Sequence, residues 1–386
     1  MQINKIIYKK HQSFSSFVNK KKYLISDAIN EIEKLDISKY LKTFSTKEIK
    51  IFRILLENLK NNKSNSDETI FKLNENSIAE YYSFDEEKDK ILYLIHRYKY
   101  DIFPAKKELD DFPPLIQIEP SSICNFRCVF CFETDKSFTS KKNGHMGQMS
   151  FELFREIIDN IEGKIQFVTL ASRGEPLANT NFSKIINYTS GKFINLKINT
   201  NASLLDEKKC HDILSSNVKT MVFSADAADK DLYAKLRVNG NLDKTLSNIR
   251  MFVDIKNKHY PKNKIITRVS GVKFSQDQKL DDMLELWGKL VDQVAFVEYN
   301  PWENNYIKEP NNIEKACSDL WRRMFVWWDG KANPCDVDYK STLSVGNFSK
   351  NSIAELWNSK EYNILRKKHL SQKRKEQKPC SSCSVI

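Results

Sequence analysis

Six short apolar segments alternate with amphipathic helical segments between residues 115 and 299, and this alternation constrains the fold more than any other feature of the chain. The predicted strands are Leu115–Ile118, Gln166–Leu170, Asn195–Asn199, Thr220–Ser224, Ile265–Val272 and Gln293–Tyr299. The predicted helices between them include Phe151–Ile161, Asp206–Leu214, Leu242–Ile255 and Leu280–Leu290. Strands that alternate with helices predict an α/β fold with a parallel sheet. In such sheets the chemistry gathers at the carboxyl ends of the strands.

Two further regions flank this segment. Residues 1–110 are predicted to be mostly helical, because apolar residues recur there at helical spacing. Their role is unknown: they either bind a carrier or a leader peptide, or cover the open side of the sheet. Pro113 and Pro114 oppose a helix and mark the beginning of the α/β region, residues 111–300. Residues 301–386 are irregular and contain four of the eight cysteines.

Charge and hydropathy limit which partners and which cellular compartment the sequence leads us to expect. The 386-residue chain has 62 Lys and Arg against 50 Asp and Glu, a net charge of +12. Solvated lysine faces account for this charge more readily than a nucleic-acid partner does. No run of about 18 apolar residues and no secretory signal pattern is found, so the expectation is a cytoplasmic protein without a membrane partner. In that compartment spaced cysteines more often hold metal than form disulfides.

Three cysteines follow the first predicted strand on one short loop. Three residues separate Cys124 from Cys128, and two separate Cys128 from Cys131. Three thiolates this close can converge on one soft metal centre, and they leave a cubane iron–sulfur cluster one ligand short. An iron without a protein ligand could bind a substrate or cofactor directly. The alternatives are a zinc site completed by His145, or three buried core thiols.

This spacing, with Phe130 before the last cysteine and the predicted six-strand sheet, resembles the radical S-adenosylmethionine (radical SAM) enzymes over residues 112–300. The resemblance implies a partial (β/α)6 barrel of the TIM type. It also implies that Cys124, Cys128 and Cys131 are catalytic ligands of a [4Fe–4S] cluster, that S-adenosylmethionine binds the free iron, and that Phe130 lies beside it. An electron from a flavodoxin- or ferredoxin-type donor would then generate a 5′-deoxyadenosyl radical, which takes a hydrogen atom from the substrate.

The segment after the second predicted strand extends the resemblance. Gly174-Glu175-Pro176 is similar to the second half of the family's Gly-Gly-Glu-Pro segment, which receives the methionine amino group. Arg173 stands in place of the first glycine, which leaves only the latter half secure. Gly174 would allow a close backbone approach, and Glu175 carries an acceptor. Alone, Gly-Glu-Pro is merely a turn, and its weight comes from its position.

Polar residues after the next strands continue the pattern. Asn199 and Thr200 resemble the segment that lines the nucleoside pocket, and Ser224 and Asp226 resemble the family's Ser-x-Asp. Arg237 is a candidate partner for the methionine carboxylate in a charge-assisted hydrogen bond. Taken singly, each of these residues could equally be a helix cap or part of a surface ion pair. Their order along the chain makes them candidate cofactor-binding residues.

The C-terminal region carries a second cysteine set: Cys317, Cys335, Cys380 and Cys383. Its layout resembles the SPASM and twitch extensions of radical SAM enzymes, which hold auxiliary clusters. The full SPASM pattern has more cysteines than these four, so the resemblance implies the shorter twitch form with one auxiliary [4Fe–4S] cluster. A four-cysteine zinc site is the alternative. Cys210 lies apart in a predicted helix and is expected to be a buried apolar residue.

A fully ligated auxiliary cluster beside a radical generator favours a two-electron oxidation, a dehydrogenation, because the cluster can accept an electron from a substrate radical. The expected substrate is a small polyhydroxyl molecule or a peptide. Peptide maturation or cross-linking, and epimerisation, are the alternatives within this class. A zinc-binding basic nucleic-acid-binding protein and a non-catalytic iron–sulfur scaffold are alternatives of another class.

Overall fold

The computed structural model describes residues 7–9, 13–61, 67–300, 302 and 305–386. The strands are β1 (Phe14–Asn19), β2 (Leu115–Ile118), β3 (Arg127–Cys128), β4 (Phe167–Leu170), β5 (Asn195–Thr200), β6 (Val218–Ser224), β7 (Arg237–Val238), β8 (Ile266–Lys273), β9 (Gln293–Glu298), β10 (Arg323–Val326), β11 (Lys331–Asn333) and β12 (Gly346–Asn347).

The α-helices are α1 (Ile25–Ile32), α2 (Thr46–Lys60), α3 (Glu75–Tyr81), α4 (Glu87–Lys106), α5 (Lys136–Thr139), α6 (Phe151–Ile161), α7 (Phe182–Tyr188), α8 (Glu207–Ser215), α9 (Lys230–Leu236), α10 (Leu242–His259), α11 (Leu280–Leu286), α12 (Ile353–Trp357) and α13 (Lys360–Leu370). Short 3₁₀ turns lie at Ile37–Tyr40, Phe132–Thr134, Lys141–Asn143, Pro176–Ala178, Ser318–Trp321 and Arg374–Glu376. In the described ranges, none of the helices combines the length and the apolar character needed to span a bilayer.

One large sheet organises the molecule. Its strand order is β1-β9-β8-β6-β5-β4-β2-β10-β11-β12. The neighbours from β9 to β10 run parallel, whereas β1, β11 and β12 pair antiparallel. The six strands predicted from the alternation correspond to β2, β4, β5, β6, β8 and β9, which confirms the α/β barrel-type fold class.

The helices that follow the strands cover the outer face of the sheet, and α6 shows why they form where they do. The Ser150 side chain accepts a hydrogen bond from the Leu153 amide at 3.1 Å and begins the helix. Phe154, Ile157 and Ile161 then recur at helical spacing and are fully buried against the sheet. The burial of this apolar stripe fixes the helix on the outside and leaves the inner face of the strands to line a lumen.

The N-terminal region contains helices α1–α4, and it also contains a strand that was not predicted from the sequence. Strand β1 pairs antiparallel with β9 and extends the edge of the sheet. Helices α1–α4 form a hydrophobic cluster of their own, which also includes Phe167, the first residue of β4. The His96 ring of α4 stacks on Phe167 with ring centroids 3.3 Å apart. The region therefore covers the amino ends of the barrel strands.

The C-terminal region also contributes to the sheet, although its sequence is irregular. Strand β10, Arg323-Met324-Phe325-Val326, is buried along its whole length and pairs in parallel with β2. Strands β11 and β12 continue from it in antiparallel pairs. The polypeptide after residue 305 is thus hydrogen-bonded into the same sheet that carries the cysteine loop.

Candidate active site and cluster sites

A cavity of about 440 Å³ lies at the carboxyl ends of the strands. Cys124, Cys128 and Cys131 line it, together with residues from β5, β6 and β9. The structure thus brings the predicted cysteine set to the edge of the sheet where parallel strands gather their chemistry. The expectation that the motifs lie just after strands agrees with this geometry.

The loop that carries these cysteines is held by main-chain hydrogen bonds. Its short strand β3 pairs with β7, which sets Cys128 opposite Arg237. The Cys131 amide donates to the Cys128 carbonyl at 2.9 Å, and the Phe126 amide donates to Cys124 Sγ at 3.4 Å. Burial raises the pKa of the Cys131 thiol to about 12. A cluster bound by these cysteines would displace the protons of such thiols.

Gly174 explains how the Gly-Glu-Pro segment approaches the cysteine loop. A Cβ atom at this position would lie 2.4 Å from the Ser122 carbonyl carbon and 2.5 Å from the Ser121 oxygen, so only glycine fits. The Glu175 amide donates to the Ile123 carbonyl at 3.1 Å. The two loops thus touch through their backbones, one residue before Cys124.

The Glu175 carboxylate is buried and organises the segment after β5. One oxygen accepts from Thr200 Oγ1 at 2.6 Å and from the Leu177 amide at 3.1 Å, and the other accepts from the Asn201 amide at 2.8 Å. Burial raises the pKa of this carboxyl, while these hydrogen bonds oppose the shift. Thr200 therefore faces Glu175, whereas Glu175 and Asn201 reach the cavity wall.

Arg173, the residue that departs from the family pattern, has a structural partner. Its guanidinium forms a bidentate pair with the buried Glu119 carboxylate, with Nε–Oε2 at 2.8 Å and Nη2–Oε1 at 2.6 Å. Nη1 also donates to the Tyr339 carbonyl at 2.8 Å, and the group lies 4.1 Å from the Trp327 ring centroid. This side chain ties the Gly-Glu-Pro loop to the C-terminal region.

Arg237 and Asp226 form the other buried ion pair at the cavity. Arg237 Nε contacts Asp226 Oδ2, and the second Asp226 oxygen accepts from the Val272 amide at 2.6 Å. Arg237 Nη1 lies 3.8 Å from Cys128 Sγ, and the guanidinium is 6.0 Å from the Phe130 ring centroid. Arg237 and Phe130 line the cavity, whereas Asp226 does not line it and contacts Arg237.

Two unsatisfied polar atoms indicate that the cavity is built for a polar ligand. Asn199 Oδ1 and Ser172 Oγ are buried and have no hydrogen-bond partner in the described part of the chain. Both residues line the cavity, as does Ser224. Ser172 also has a φ of 151°, a strained value for a non-glycine residue. Hydroxyl and amine groups of a nucleoside and an amino acid would satisfy such atoms, so the site fits S-adenosylmethionine.

Three further residues of the cavity wall were not predicted from the sequence. They are Lys197 of β5, Gln117 of β2 and Arg323 of β10. A charged residue inside the apolar segment Asn195-Leu196-Lys197-Ile198 is the signal that could have shown this, since a strand buried on both faces carries apolar residues by default. Arg323 could not be found in this way, because no strand was predicted around it from the sequence.

The second cysteine set lies in the C-terminal region. Its members come from the turn before Ser318–Trp321, the loop after β11 and the C-terminal segment, and no disulfide joins any of the eight cysteines. The Val337 amide donates to Cys335 Sγ at 3.3 Å, and the Val385 amide to Cys383 Sγ at 3.4 Å. Cys124 Sγ likewise accepts a hydrogen bond from the amide two residues further along the chain, that of Phe126. Amide–sulfur hydrogen bonds stabilise thiolates at iron–sulfur sites.

Arg374 holds the backbone around the last two cysteines. It is 1% exposed and donates to the carbonyl oxygens of Lys315, Cys380, Cys383 and Val385 at 2.9–3.3 Å. Cys317 lies close by, and its amide donates to His369 Nδ1 at 3.2 Å. Cys210, in contrast, is fully buried in the hydrophobic core beside α10, as predicted.

Across the described ranges, no three His, Cys, Asp or Glu side chains converge closely enough to ligate one ion.

Family models match most of the α/β region and the C-terminal region. The model of the radical SAM superfamily matches residues 118–286, which include the cysteine loop and the candidate cofactor-binding residues. The model of an iron–sulfur cluster-binding domain, SPASM, matches residues 317–384. This second match begins at Cys317 and ends one residue after Cys383.

Curated relatives share the core at low identity. A tungsten-containing aldehyde ferredoxin oxidoreductase cofactor-modifying protein from Pyrococcus furiosus is 22% identical over 65% of this chain and 82% of its own length. A GTP 3′,8-cyclase from Campylobacter lari is 26% identical over 48% of this chain and 55% of its own. The mycofactocin maturase MftC from Mycolicibacterium smegmatis is 23% identical over 34% and 32%.

Solved structures agree on the fold. Streptococcus suis SuiB bound to S-adenosylmethionine has a TM-score of 0.52 and 16% identity, and the match covers 92% of this chain and 86% of that one. Native anSMEcpe with bound AdoMet has a TM-score of 0.51 and 17% identity, covering 70% and 88%. At these identities the likeness establishes the fold alone.

Proposed function

The chain belongs to the radical SAM superfamily and carries an iron–sulfur cluster-binding SPASM domain, and from this premise we propose that it catalyses a two-electron oxidation of its substrate. The family membership implies a [4Fe–4S] cluster, S-adenosylmethionine and auxiliary iron–sulfur chemistry. Bound together and reduced, the first cluster and S-adenosylmethionine supply a 5′-deoxyadenosyl radical that removes a hydrogen atom. Cys124, Cys128 and Cys131 would ligate that cluster, and Cys317, Cys335, Cys380 and Cys383 would ligate one auxiliary cluster.

The observation that carries the proposal is that one cavity is lined by the first cysteine set and by residues adjacent in sequence to a member of the second set. Cys128 lies on its wall, and so do Asp336 and Val337, the two residues that follow Cys335. A substrate in this cavity would be within reach of the radical on one side and of the auxiliary site on the other. It would lose a hydrogen atom to the radical, a proton that passes to solvent and one electron to the auxiliary cluster, a net loss of two electrons and two hydrogens.

The chain's own residues supply positioning and exclusion of water. Glu175 and the unsatisfied Asn199 and Ser172 side chains would bind the amino-acid and nucleoside groups of S-adenosylmethionine. Arg237, fixed by Asp226, would bind its carboxylate. The ring of Trp302 closes the wall beside Phe130, to whose carbonyl its Nε1 donates at 2.7 Å.

The placement of the cysteines favours oxidation over epimerisation. An epimerase needs a hydrogen donor, commonly a thiol, next to the substrate radical. The thiols on the cavity wall are those of Cys124, Cys128 and Cys131, which are cluster ligands in this proposal. Cys210 is buried in the core and cannot reach the cavity. The substrate is a small molecule or a peptide; the matched maturases favour the peptide.

Two cysteine variants test the proposal without knowledge of the substrate. Anaerobically purified protein is expected to hold about eight irons and eight sulfides, and Cys128→Ala or Cys335→Ala about four of each. With dithionite and S-adenosylmethionine, Cys128→Ala is expected to form no 5′-deoxyadenosine, whereas Cys335→Ala still forms some. Electron paramagnetic resonance would show one reduced cluster that responds to S-adenosylmethionine and one that does not. Cys210→Ala is the matched control and should match the wild type in all three measurements.

Two results would contradict the auxiliary cluster. One is zinc in place of iron; the other is a wild-type content of about four irons that is lost in Cys128→Ala but not in Cys335→Ala. Formation of 5′-deoxyadenosine by Cys128→Ala would contradict the assignment of the first site. Once a substrate is known, full oxidation of it by Cys335→Ala would rule out the electron-accepting role of the auxiliary cluster.

A further inference from the structure

A polar layer crosses the inside of the barrel below the cysteine loop. Gln117 of β2, Thr169 of β4, Lys197 of β5 and Thr220 of β6 are register partners on adjacent parallel strands. Branched apolar residues dominate the corresponding layers of most barrels. Gln117, Thr169 and Lys197 line the cavity, and Thr220 Oγ1 is buried without a hydrogen-bond partner in the described part of the chain. This layer leaves polar groups open to a ligand instead of filling the lumen.

Lys197 is the charged member of the layer and is not neutralised by an acid. Within the described residues it has no ion pair or hydrogen bond, and it is partly accessible, from the cavity. Arg268, Arg323 and Arg97 surround it, with Glu80 as the acidic group that faces the same space. Burial and these three cations lower the pKa of Lys197 to about 8.

The surrounding charged groups already have partners of their own. Arg97 pairs with Asp101 at 2.7 Å, Arg268 Nε donates to Gln293 Oε1 at 2.8 Å, and Arg323 Nη2 donates to the Tyr100 hydroxyl at 2.6 Å. Glu80 accepts from the Tyr93 hydroxyl at 3.0 Å.

Lys197 and Arg323 are the members of this group that line the cavity, and only Lys197 has no hydrogen bond or ion pair within the described residues. A buried ammonium without a counter-charge is unfavourable, and an anion from outside the chain would relieve that cost.

We propose that Lys197 binds an anionic group of the substrate, a carboxylate or a phosphate, and so holds the substrate in the barrel beneath the site of radical formation. This inference rests on the proposed function, since it takes the cavity to be the substrate site. An oxyanion here would accept from Lys197 Nζ in a charge-assisted hydrogen bond, and Gln117 and Thr169, which also line the cavity, could donate to it as well. Neutral analogues of the substrate would leave the ammonium unpaired and would be rejected.

The methionine carboxylate of S-adenosylmethionine is not the anion in question. Lys197 precedes Asn199 by two residues on β5, so it lies about 7 Å further along the strand from the cysteine loop. Arg237, which stands 3.8 Å from Cys128 Sγ, is the cation close to the cluster site. The two cations are therefore placed for two different anions.

Binding of simple anions tests the proposal. The holoprotein, kept oxidised and saturated with S-adenosylhomocysteine so that the nucleotide site is filled, is titrated calorimetrically with sodium sulfate in one arm and sodium acetate in the other. A substrate phosphate predicts tighter binding of sulfate, and a carboxylate predicts tighter binding of acetate. Lys197→Met and Lys197→Gln are expected to weaken the better anion at least about tenfold at pH 7, and Lys197→Arg to retain it.

Lys219→Met is the matched control. Lys219 is also a half-buried lysine whose pKa is lowered by burial, and its Nζ packs 5.6 Å from the Phe84 ring centroid, outside the cavity. Its variant should bind both anions like the wild type. Anion binding by the wild type should also weaken as the pH rises above about 8, because the free Lys197 loses its proton there.

Equal anion affinity in Lys197→Met and the wild type, or no binding of either anion by the wild type, would overturn the proposal. So would an equal loss in Lys219→Met, since that would report a general effect of charge. The titration uses no reductant and measures no turnover, so its result is independent of the oxidation proposed above. Absence of 5′-deoxyadenosine from the reduced wild type would refute that function while the anion result stood by itself.

Discussion

The two cysteine sites of this chain differ in how the sequence builds them. The first site draws three cysteines from eight consecutive residues, 124–131, and every one of them lines the cavity. The second site draws four cysteines from residues 317–383, and none of the four lines it. The first set thus lies together on one cavity wall, whereas the second set is drawn from distant parts of the C-terminal region.

The arginine beside each site shows the same difference. Arg237 is held by one carboxylate and keeps part of its guanidinium on the cavity wall. Arg374 donates hydrogen bonds to four backbone carbonyls around Cys380 and Cys383. Arg237 is therefore accessible to a ligand, whereas Arg374 holds the backbone around the last two cysteines. An incomplete, accessible site suits catalysis, and a complete, enclosed one suits electron transfer.

The largest difference between the two sites is expected when Arg374 is replaced. Arg374→Met removes the arginine donor from four carbonyls, of which those of Cys380 and Cys383 keep another donor, and is expected to lower the free energy of unfolding of the C-terminal region by about 3 kcal/mol. Iron content should fall from about eight to about four per chain, with 5′-deoxyadenosine formation retained. The exposed Lys375→Met is the control. Loss of S-adenosylmethionine cleavage together with the auxiliary iron would show that the sites are not independent.

The Arg173–Glu119 pair tests the connection between the two regions. Arg173→Met leaves a buried carboxylate unpaired and is expected to cost about 3 kcal/mol in denaturant unfolding. The double variant Arg173→Met/Glu119→Gln should recover part of that loss, because the two residues are coupled. Full additivity of the two single variants would mean that the pair contributes nothing as a pair.

The smallest effect is expected at the first site, from Asp226→Asn. The neutral amide holds Arg237 less firmly, so the dissociation constant of S-adenosylmethionine should rise about tenfold, with iron content unchanged. Equilibrium dialysis of the oxidised holoprotein measures this directly. Asp243→Asn, which removes the partner of Lys230 on the surface, should have no effect. Unchanged affinity in Asp226→Asn would argue that Arg237 does not bind the cofactor.

The sequence predicted best what depends on short spacing. The Cys124–Cys131 loop and the six barrel strands are local patterns, and both were found where expected. Strand β1 was missed because Phe14–Asn19 is short and only partly buried, and its conformation depends on pairing with β9, which is almost 280 residues away. Strand β10 depends on β2 in the same way.

The residues around the motifs were harder to predict, because their roles depend on distant partners. Asp226 was assigned to the cofactor but is enclosed with Arg237, and its role as a direct contact stays a prediction. Arg173 looked like a flaw in the glycine segment, yet it pairs with Glu119, which is 54 residues earlier. Lys197 carried a visible signal, a charge inside a buried strand, that the motif pattern did not include.

The parallel pairing of β10 with β2 joins the two cysteine-bearing regions through the backbone. Main-chain hydrogen bonds link the strand that leads into the Cys124–Cys131 loop to the strand at the start of the C-terminal region. With a cluster bound in each region, as proposed, this pairing would help to set the distance that an electron must tunnel between them.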